Sequence, residues 1–451
     1  MNNTQDFRPF VPTLDYPRVA AMQGRDAQQH AAAGLANPVP QELLFKPWEL
    51  LYREPFKGIT SNGEVIEGLY QLEANQAPSA SMVAATLELL VLVSDQQKQQ
   101  LVLPCNSRQW RHWNNTEIYI YQYGLRLEEV SLEVREAMLA VLRASLSDAG
   151  YEKTRHVMRI NHFLGELTGN TRVLGEWSYN FTLFGEPSAT EPWGWQLMGH
   201  HLALNCMVLG GQMVLTPTFM GAEPNTIDTG PFAGTRLFED EENLGLELMR
   251  SLSMEQRNSA ILFHSVVEGD LPAGRRHKAD QLHLGGALQD NRVIPYEGIQ
   301  ACDFTVLQRE KLLRLINAYI ETLPQGPRTV RIDEITRHLE QTYFAWIGGF
   351  GEEDTFYYRI QSPVIMIEFD HHSGVFLTNE MPAKFHIHTI VRTPNGNDYG
   401  ADLLRMHYAH QHHTDTRPGH SGQDIGHQRA RQQHQEFFDH LIDHDHKHSH
   451  P

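Results

Sequence analysis

The stretch FHIHTIVRTPNGNDYGADLLRMHYAHQHH, residues 385–413, combines a strand pattern with an unusual density of titratable side chains. Side chains alternate between the two faces of a β-strand. His386, His388 and Arg392 therefore share one face of a predicted strand, while most of the residues between them are apolar and face a core. A Pro-Asn-Gly turn follows, and a short helix is predicted to begin near Asp398.

The same alternation recurs along the chain, separated by segments with helical spacing. Helices are predicted over residues 78–101, 131–151, 238–262, 303–324 and 331–349. Strand structure is predicted over residues 175–187, 193–224, 355–370, 374–379 and 384–393, and a β-hairpin over residues 55–70. Helices that flank and interrupt an antiparallel sheet form the α+β pattern. The predicted fold is therefore α+β, with an antiparallel β-sheet core and helices packed around it. No internal repeat is evident in the sequence.

The 451 residues can hold one large body or two to three domains. The predicted organisation is an N-terminal arm over residues 1–45, a single large α+β domain over 46–410 and a His-rich tail over 411–451. Twelve of the 26 histidines lie from His407 onward, among many Gln and Asp residues. Such a composition predicts a disordered tail that binds Zn²⁺, Ni²⁺ or Cu²⁺ loosely through imidazole.

Charge and cysteine content limit the partners. The chain carries 37 Lys+Arg against 55 Asp+Glu, and a formal net charge of −18 repels nucleic acid and anionic membranes, so neither is a predicted partner. The three cysteines are far apart, which argues against a disulfide framework or a zinc ribbon. The first residues show no signal-peptide pattern, and no apolar run is long enough to span a bilayer, so the predicted location is cytoplasmic.

Two strand histidines form the centre of a predicted metal site. His386 and His388 lie about 6.5–7 Å apart along one strand face, which suits two ligands of one ion. Neutral imidazole binds zinc, iron, copper and nickel, so a divalent transition metal is the predicted cofactor. Glu368 lies in the apolar run VIMIEF and needs a partner, which a metal, an arginine or these histidines would provide. The alternative for the two histidines is a solvent-facing strand on which they bind nothing. The alternative for Glu368 is an edge strand on which it faces water.

Three further histidines are candidate metal ligands. His200 and His201 lie inside the strand-like run GHHLALN, where they would point to opposite faces, so at most one of them faces the site. The alternative for a histidine on an apolar face is a hydrogen-bonded core residue. His407 is predicted on a short helix as another ligand, with a surface helix histidine as its alternative.

Acid–base and substrate roles are predicted for three charged residues. Glu223 lies in a Gly-Ala-Glu-Pro loop at a strand end, where functional residues are often placed, and is a candidate for proton transfer. Asp398 is the second candidate, and it could instead cap a helix or orient a histidine. Arg392 cannot ligate a cation, but its guanidinium suits a carboxylate or phosphate group of a substrate. The alternative for Arg392 is a structural salt bridge to Glu368 or to a surface aspartate.

Several long strings of the chain resemble those of one bacterial family. They are GHHLALN, TPTFMGAEP, RSLSMEQRNSAIL, IEFD and FHIHTIVRTPNGNDYGADLLRMHY. In this order they are similar to the family labelled domain of unknown function 3500, and the resemblance runs from Pro55 to His407. The label carries no activity, so the resemblance implies family membership and no particular reaction. The His-rich tail departs from the resemblance.

Together these residues favour a metal-dependent enzyme that acts on a small anionic substrate. A metal-activated water would make it a hydrolase, which is slightly favoured, and Fe(II) with open positions would make it an oxygenase. The sequence has no G-x-S-x-G, Gly-rich phosphate loop or H-E-x-x-H motif, which argues against α/β-hydrolases, P-loop and Rossmann enzymes, and zincin proteases. Two alternatives are a non-enzymatic metal-homeostasis protein that uses the His-rich tail and a binding module without metal. A homo-oligomer is also compatible with the sequence.

Overall fold

Twelve strands form one sheet within residues 6–414, the part of the chain that the computed structural model describes. In chain order the strands are β1 (Val102–Leu103), β2 (Leu125–Arg126), β3 (Tyr179–Phe184), β4 (Trp193–Gly199), β5 (Leu202–Leu209), β6 (Gln212–Ala222), β7 (Ile261–Phe263), β8 (Ile299–Gln300), β9 (Tyr343–Gly348), β10 (Phe356–Gln361), β11 (Met366–His371) and β12 (Ile387–Arg392). They lie in the order β1-β3-β4-β5-β6-β12-β11-β10-β9-β7, with β2 also paired to β3 and β8 to β9. All of these strand pairs are antiparallel except β1 with β3 and β7 with β9. The predicted α+β fold with an antiparallel core is confirmed.

Helices flank this sheet on both faces. In chain order they are α1 (Pro17–Ala20), α2 (Ala27–Ala36), α3 (Pro38–Pro40), α4 (Lys46–Arg53), α5 (Ser79–Leu92), α6 (Asp95–Leu101), α7 (Leu132–Ser145), α8 (Asp148–Thr168), α9 (Glu239–Ser251), α10 (Met254–Ala260), α11 (Val306–Ile320), α12 (Gln325–Arg337) and α13 (Ala401–Thr414). The indole N–H of Trp195 on β4 donates to the hydroxyl of Ser145 on α7. On β10 the hydroxyl of Tyr358 lies 2.5 Å from the hydroxyl of Tyr319 on α11. Buried polar contacts therefore anchor a helix to each half of the sheet.

The fold consists of two halves with the same order of elements. Residues 79–222 and 239–392 each run as two helices, two short strands, two helices and a four-stranded antiparallel meander. In each half the first short strand pairs in parallel with the first meander strand, and the second pairs with it antiparallel. The two meanders join side by side through β6 and β12. The repeat that the sequence does not reveal is therefore present in the fold.

Two segments predicted as β-structure are loops. Residues 55–70 do not form the predicted hairpin, because their backbone pairs with a distant segment: the N–H of Ile294 donates to the C=O of Thr60. Residues 374–379 are also a loop, because three of their backbone N–H groups donate to Glu223. In both places contacts from elsewhere in the chain override the local alternation of apolar residues.

The helix predictions are confirmed in part, with shifted ends. Ser131 caps α7 by accepting a hydrogen bond from the N–H of Val134. The helix predicted over 331–349 ends at Arg337, and its aromatic end forms β9 in the sheet. The long helix α8 was not predicted, because Arg, His and Asn side chains interrupt its apolar periodicity.

The face of the sheet opposite to α7 and α11 carries buried polar side chains under a long loop. We call residues 264–298 the covering loop. The backbone N–H groups of Leu284 and Gly285 in this loop donate to Glu368 on β11. The guanidinium of Arg392 on β12 donates to the C=O of Gly285 and of the next residue. Charged side chains of the sheet therefore hold the covering loop in place.

The predicted N-terminal arm packs against the rest of the chain from Phe7 onward. Phe7 and Val19 are buried, and the ring of Phe10 lies 5.5 Å from the ring of Phe385, which precedes β12. The predicted His-rich tail lies outside the described residues, apart from the end of α13 at Thr414. Among the described residues, no helix has both the length and the apolar composition needed to cross a bilayer.

Candidate metal centre

Three histidines from two separate parts of the sheet converge at one point. His388 lies in β12, His386 is the residue just before this strand, and His201 comes from the turn between β4 and β5. One possible ligand atom from each lies within 4.8 Å of those of the other two, as ligands around one ion do. All three are buried, with 3%, 0% and 4% of the surface of His201, His386 and His388 exposed. We call these residues the His triad.

A two-residue turn, in place of the continuous strand that the sequence predicted, brings His201 to this point. His200 and His201 connect β4 to β5, and His201 has a φ of +60°, in the left-handed region that side chains rarely adopt. The ring of His200 stacks on that of His201 at 3.9 Å, and its Nδ1 lies 2.8 Å from Oδ1 of Asn161. His201 is therefore the one of the two that belongs to the triad, and the ring of His200 packs against the ring of His201.

A glycine on β6 makes room for two of the three rings. Gly221 pairs with His388 across β6 and β12, and its N–H donates to the C=O of His201. A Cβ atom at Gly221 would lie 2.8 Å from Cδ2 of His388 and 3.0 Å from Cδ2 of His201. Both approaches are closer than Cβ atoms normally make, so glycine is what allows both rings to converge here.

The hydrogen bonds of His386 leave its second ring nitrogen available as a ligand. Nδ1 of His386 lies 2.9 Å from the C=O of Ser373, and because a carbonyl only accepts, Nδ1 carries the proton. Nε2 of the neutral ring therefore has a lone pair, and it lies 3.2 Å from Nε2 of His388. Two nitrogens bound to one tetrahedral zinc at 2.0–2.1 Å are about 3.3 Å apart. The distance and the orientation of His386 both fit a shared ion.

Burial keeps the triad in the form that binds metals. It lowers the pKa of His201 and of His388 well below the ordinary histidine value, and the neighbouring histidines lower both further. Burial also lowers the pKa of His386, although Glu223 opposes this effect. Metal ligation requires neutral imidazole, so at neutral pH no proton needs to be displaced from these rings.

Glu223, a predicted proton-transfer residue, lies beside the triad and not within it. Its carboxylate accepts hydrogen bonds from the backbone N–H groups of Val375, Phe376 and Leu377 and is completely buried. Its Oε1 lies 3.7 Å from Nδ1 of His386, too far for a hydrogen bond. Glu223 therefore anchors the loop that follows Ser373 and places a negative charge behind His386.

Glu368, a predicted metal ligand, has other partners. Its carboxylate accepts hydrogen bonds from the N–H groups of Leu284 and Gly285 and from the hydroxyl of Tyr357. Burial raises the pKa of Glu368, but His283 and these hydrogen bonds outweigh it, and the net shift is downward. The expectation that this buried carboxylate needs a partner holds. The partners are donors of the covering loop and β10, so the structure does not place Glu368 among the metal ligands.

Arg392 and Asp398, predicted to bind substrate and to transfer protons, form a buried ion-pair network. The guanidinium of Arg392 donates to Asp290, to Asp398 and to two backbone C=O groups of the covering loop. Asp398 also accepts from the N–H of Thr393. These contacts use four of the five N–H groups of a guanidinium that is 0% exposed. The geometry corresponds to the structural alternative for Arg392, with Asp290 and Asp398 as the partners.

The sixth predicted ligand, His407, lies away from the triad on α13, with its Nε2 3.6 Å from Glu191. Three residues that the sequence reasoning did not select do border the triad: His283, Asp370 and His372. Asp370 and His372 continue the alternation of β11, which could have revealed them. His283 lies in the covering loop, where no local pattern marks it.

Comparison with known families supports the resemblance seen in the sequence. The family described as protein of unknown function DUF3500 matches residues 75–401, which is most of the chain. The protein therefore belongs to this family. No curated protein and no solved structure matches the chain.

Proposed function

We propose that this member of DUF3500 is a metal-dependent enzyme whose divalent transition ion is bound by His201, His386 and His388. The observation that carries the proposal is the convergence of three neutral, buried imidazoles, two of them with Nε2 atoms 3.2 Å apart. Structural zinc sites use four protein ligands, whereas catalytic sites use three and keep a position open. A three-ligand set therefore favours catalysis over a purely structural ion.

The ligand types favour a hydrolase over an oxygenase. The triad contains no carboxylate, whereas non-haem iron oxygenases typically use two histidines and one carboxylate. The dication would supply Lewis acidity and lower the pKa of a water. Zinc fits this set best, and iron, copper and nickel are the other ions that imidazole accepts.

An anionic substrate remains part of the proposal, but with a different arginine. Arg276 of the covering loop donates to the hydroxyl of Ser373, whose C=O is bound to His386. Arg276 also donates to the side chain of Gln281 and lies 3.7 Å from the exposed carboxylate of Glu268. Its side chain is 14% exposed, and within the described residues its buried Nε makes no hydrogen bond. We propose Arg276, in place of Arg392, as the cation that faces a carboxylate or phosphate group.

A metal-handling protein without catalysis is the second candidate. The observation that favours it is the burial of the triad, because at most 4% of each residue is exposed. A cytoplasmic location is common to both proposals and is supported by three free cysteines in the described part of the chain, since disulfides are rare in that compartment.

Metal content tests the proposed site directly. Protein truncated after Tyr408 and purified without a metal-affinity column should retain stoichiometric metal by elemental analysis. His386→Ala and His388→Ala should each lose it, because removing one of three ligands opens the site. The matched control is Ile387→Val, which lies between them on the opposite face and should keep the metal. Absence of metal after truncation, or equal loss in all three variants, would contradict the proposal.

Anion binding separates the enzyme from the metal-handling protein. In the Co²⁺-substituted protein, azide or acetate should change the visible absorption if a coordination position is open, and a closed site should give no change. The Zn²⁺-loaded protein should then hydrolyse p-nitrophenyl phosphate or p-nitrophenyl acetate faster than the His388→Ala variant does. A spectrum insensitive to all anions would favour metal handling.

A further inference from the structure

We infer that a second divalent cation binds beside the His triad, held by His283, Asp370 and His372. This inference rests on the proposed function, because the second ion would share the site with the first. Its ligands come from β11, from the residue after β11 and from the covering loop.

The register of the sheet places this second group next to the triad. Asp370 on β11 pairs with His388 on β12, so the two side chains lie side by side on one face. The ring of His372 lies 3.7 Å from that of His388 and 5.1 Å from that of His386. The ring of His283 lies 6.3 Å from that of His388. The two groups of ligands are therefore in contact through His388 and His372.

Four buried polar atoms of this group lack hydrogen bonds. Within the described residues, Oδ1 of Asp370, Nε2 of His283 and both ring nitrogens of His372 have no hydrogen-bond partner. The three side chains are 2% exposed or less. Most buried polar atoms in proteins are paired, and leaving them unpaired is unfavourable. So many unpaired atoms in one place indicate a ligand that accepts an electron pair from Oδ1 of Asp370 and from one ring nitrogen of each histidine.

The distances favour a cation over a simple carboxylate–histidine pair. Nε2 of His372 lies 2.5 Å from Oδ1 of Asp370, but its angles are not those of a hydrogen bond. Nε2 of His283 lies 3.7 Å from the same oxygen. The other oxygen, Oδ2, accepts from the N–H of Leu282, which directs Oδ1 toward the two histidines. One hydrogen bond would satisfy at most one of these imidazoles, whereas a cation at Oδ1 would bind one nitrogen of each. Within the described residues only the His triad has three ligand atoms within 4.8 Å of one another, so binding of the second ion draws its three donors closer together.

The donor set and the local charge also fit a second dication. Two imidazoles and one carboxylate suit Zn²⁺, Mn²⁺, Fe²⁺ or Ni²⁺. The buried carboxylates around the site include Glu223, Glu368 and Asp370, and the buried Asp280 interacts with the last two. These carboxylates would offset most of the charge of two dications. Two adjacent metals typically stabilise both the attacking and the leaving oxygen of a displacement, as in phosphoester hydrolysis.

Metal stoichiometry of full-length variants tests this inference. Each variant carries the same tail, so differences in metal content after dialysis against Zn²⁺ and a weak chelator report on the core. Asp370→Asn and His283→Gln should each hold about one equivalent less zinc than the wild type, as a lost single ion requires. His371→Gln is the matched control, because its side chain faces Glu242 on the other side of β11 and should lose none.

The outcomes separate this inference from the proposed function. If His386→Ala loses one equivalent but Asp370→Asn and His283→Gln lose none, the second ion does not exist and the triad site stands. If His386→Ala loses none, both are overturned. Far-ultraviolet circular dichroism identifies a variant that does not fold, and the His283→Gln change in a loop then decides. As a second measurement, Mn²⁺-loaded wild type should show an exchange-coupled electron paramagnetic resonance spectrum, and isolated Mn²⁺ signals alone would refute a shared site.

Discussion

Replacing Arg392 by methionine should destabilise the fold and leave the metal site competent. Arg392 is completely buried between Asp290 and Asp398 and also binds two backbone carbonyls of the covering loop. Methionine keeps much of the volume but removes the charge, so two buried carboxylates lose their shared partner. Removing one member of a buried ion pair typically costs about 3–5 kcal/mol, because the remaining charge is left uncompensated.

The contacts that remain place the expected cost at the lower end of this range. Asp290 keeps the guanidinium of Arg111 at 2.7 Å and the hydroxyl of Tyr399 at 2.9 Å. Asp398 keeps the N–H of Thr393 at 2.7 Å. Neither carboxylate becomes fully unpaired, so we expect the free energy of unfolding to fall by about 3 kcal/mol. The matched control is Arg359→Met: Arg359 is also buried, but its partner Glu297 is half-exposed and can be solvated, so we expect a loss of about 1 kcal/mol.

Urea denaturation followed by tryptophan fluorescence and circular dichroism measures both variants. Trp113 gives a local signal, since its ring lies 5.3 Å from the guanidinium of Arg392. Zinc content and azide binding of the folded Arg392→Met protein should match the wild type. A stability loss no larger than that of Arg359→Met would refute the structural role. Normal stability with lost anion binding would restore the substrate role that the sequence suggested for Arg392.

Three other changes test the surroundings of the triad. Gly221→Ala should lower the zinc affinity at least tenfold, because the new Cβ would collide with the rings of His201 and His388. Isothermal titration calorimetry measures this affinity, and an unchanged value would contradict the packing argument. Glu223→Gln should weaken zinc binding by about 10–100-fold, as the loss of a charge behind a ligand does; an equal effect on thermal stability without metal would indicate a folding role only. Burial raises the pKa of Glu242, but its basic partners outweigh this and hold the pKa below the ordinary 4.5. Glu242→Gln should therefore lower the free energy of unfolding by about 2 kcal/mol at pH 7. Because the partners of Glu242 stabilise only its ionised form, the difference in unfolding free energy between wild type and variant should shrink as the pH falls below 4.5. A difference independent of pH would exclude the ionic explanation.

The sequence predicted the parts of the site that depend on local periodicity. Alternation along one strand is enough to place His386 and His388 on a common face, and β12 confirms that strand. The sequence did not show that His201 lies in a turn, because GHHLALN lies inside a long strand-like apolar stretch. The turn depends on a left-handed residue that is not glycine, and such residues are uncommon even though histidine adopts this conformation more often than most.

Long-range contacts account for the rest of what sequence reasoning missed. His283 reaches the site from a loop about which periodicity says nothing, and the partners of Glu368 are backbone N–H groups of the same loop. The inference that a buried carboxylate needs a partner was sound, but the choice among a metal, a cation and the backbone depends on tertiary structure. Similarly, the composition of the strand face suggested a substrate-binding role for Arg392, and only the position of Asp290 shows that this charge is already balanced.

The two-fold arrangement of the fold explains why the candidate metal centre occurs once, at its middle. The triad takes His201 from the first half and His386 and His388 from the second, across the junction of β6 and β12. The equivalent elements cannot form a second copy, because β6 contains no histidine and neither does the turn between β10 and β11. The loops between the short strands also differ: the covering loop brings His283 over the triad, whereas its counterpart at residues 104–124 brings Arg111 to Asp290. Neither half alone supplies the three imidazoles, so chemistry at this site requires the junction, and the buried ion pairs that hold the two loops together are part of what builds the site.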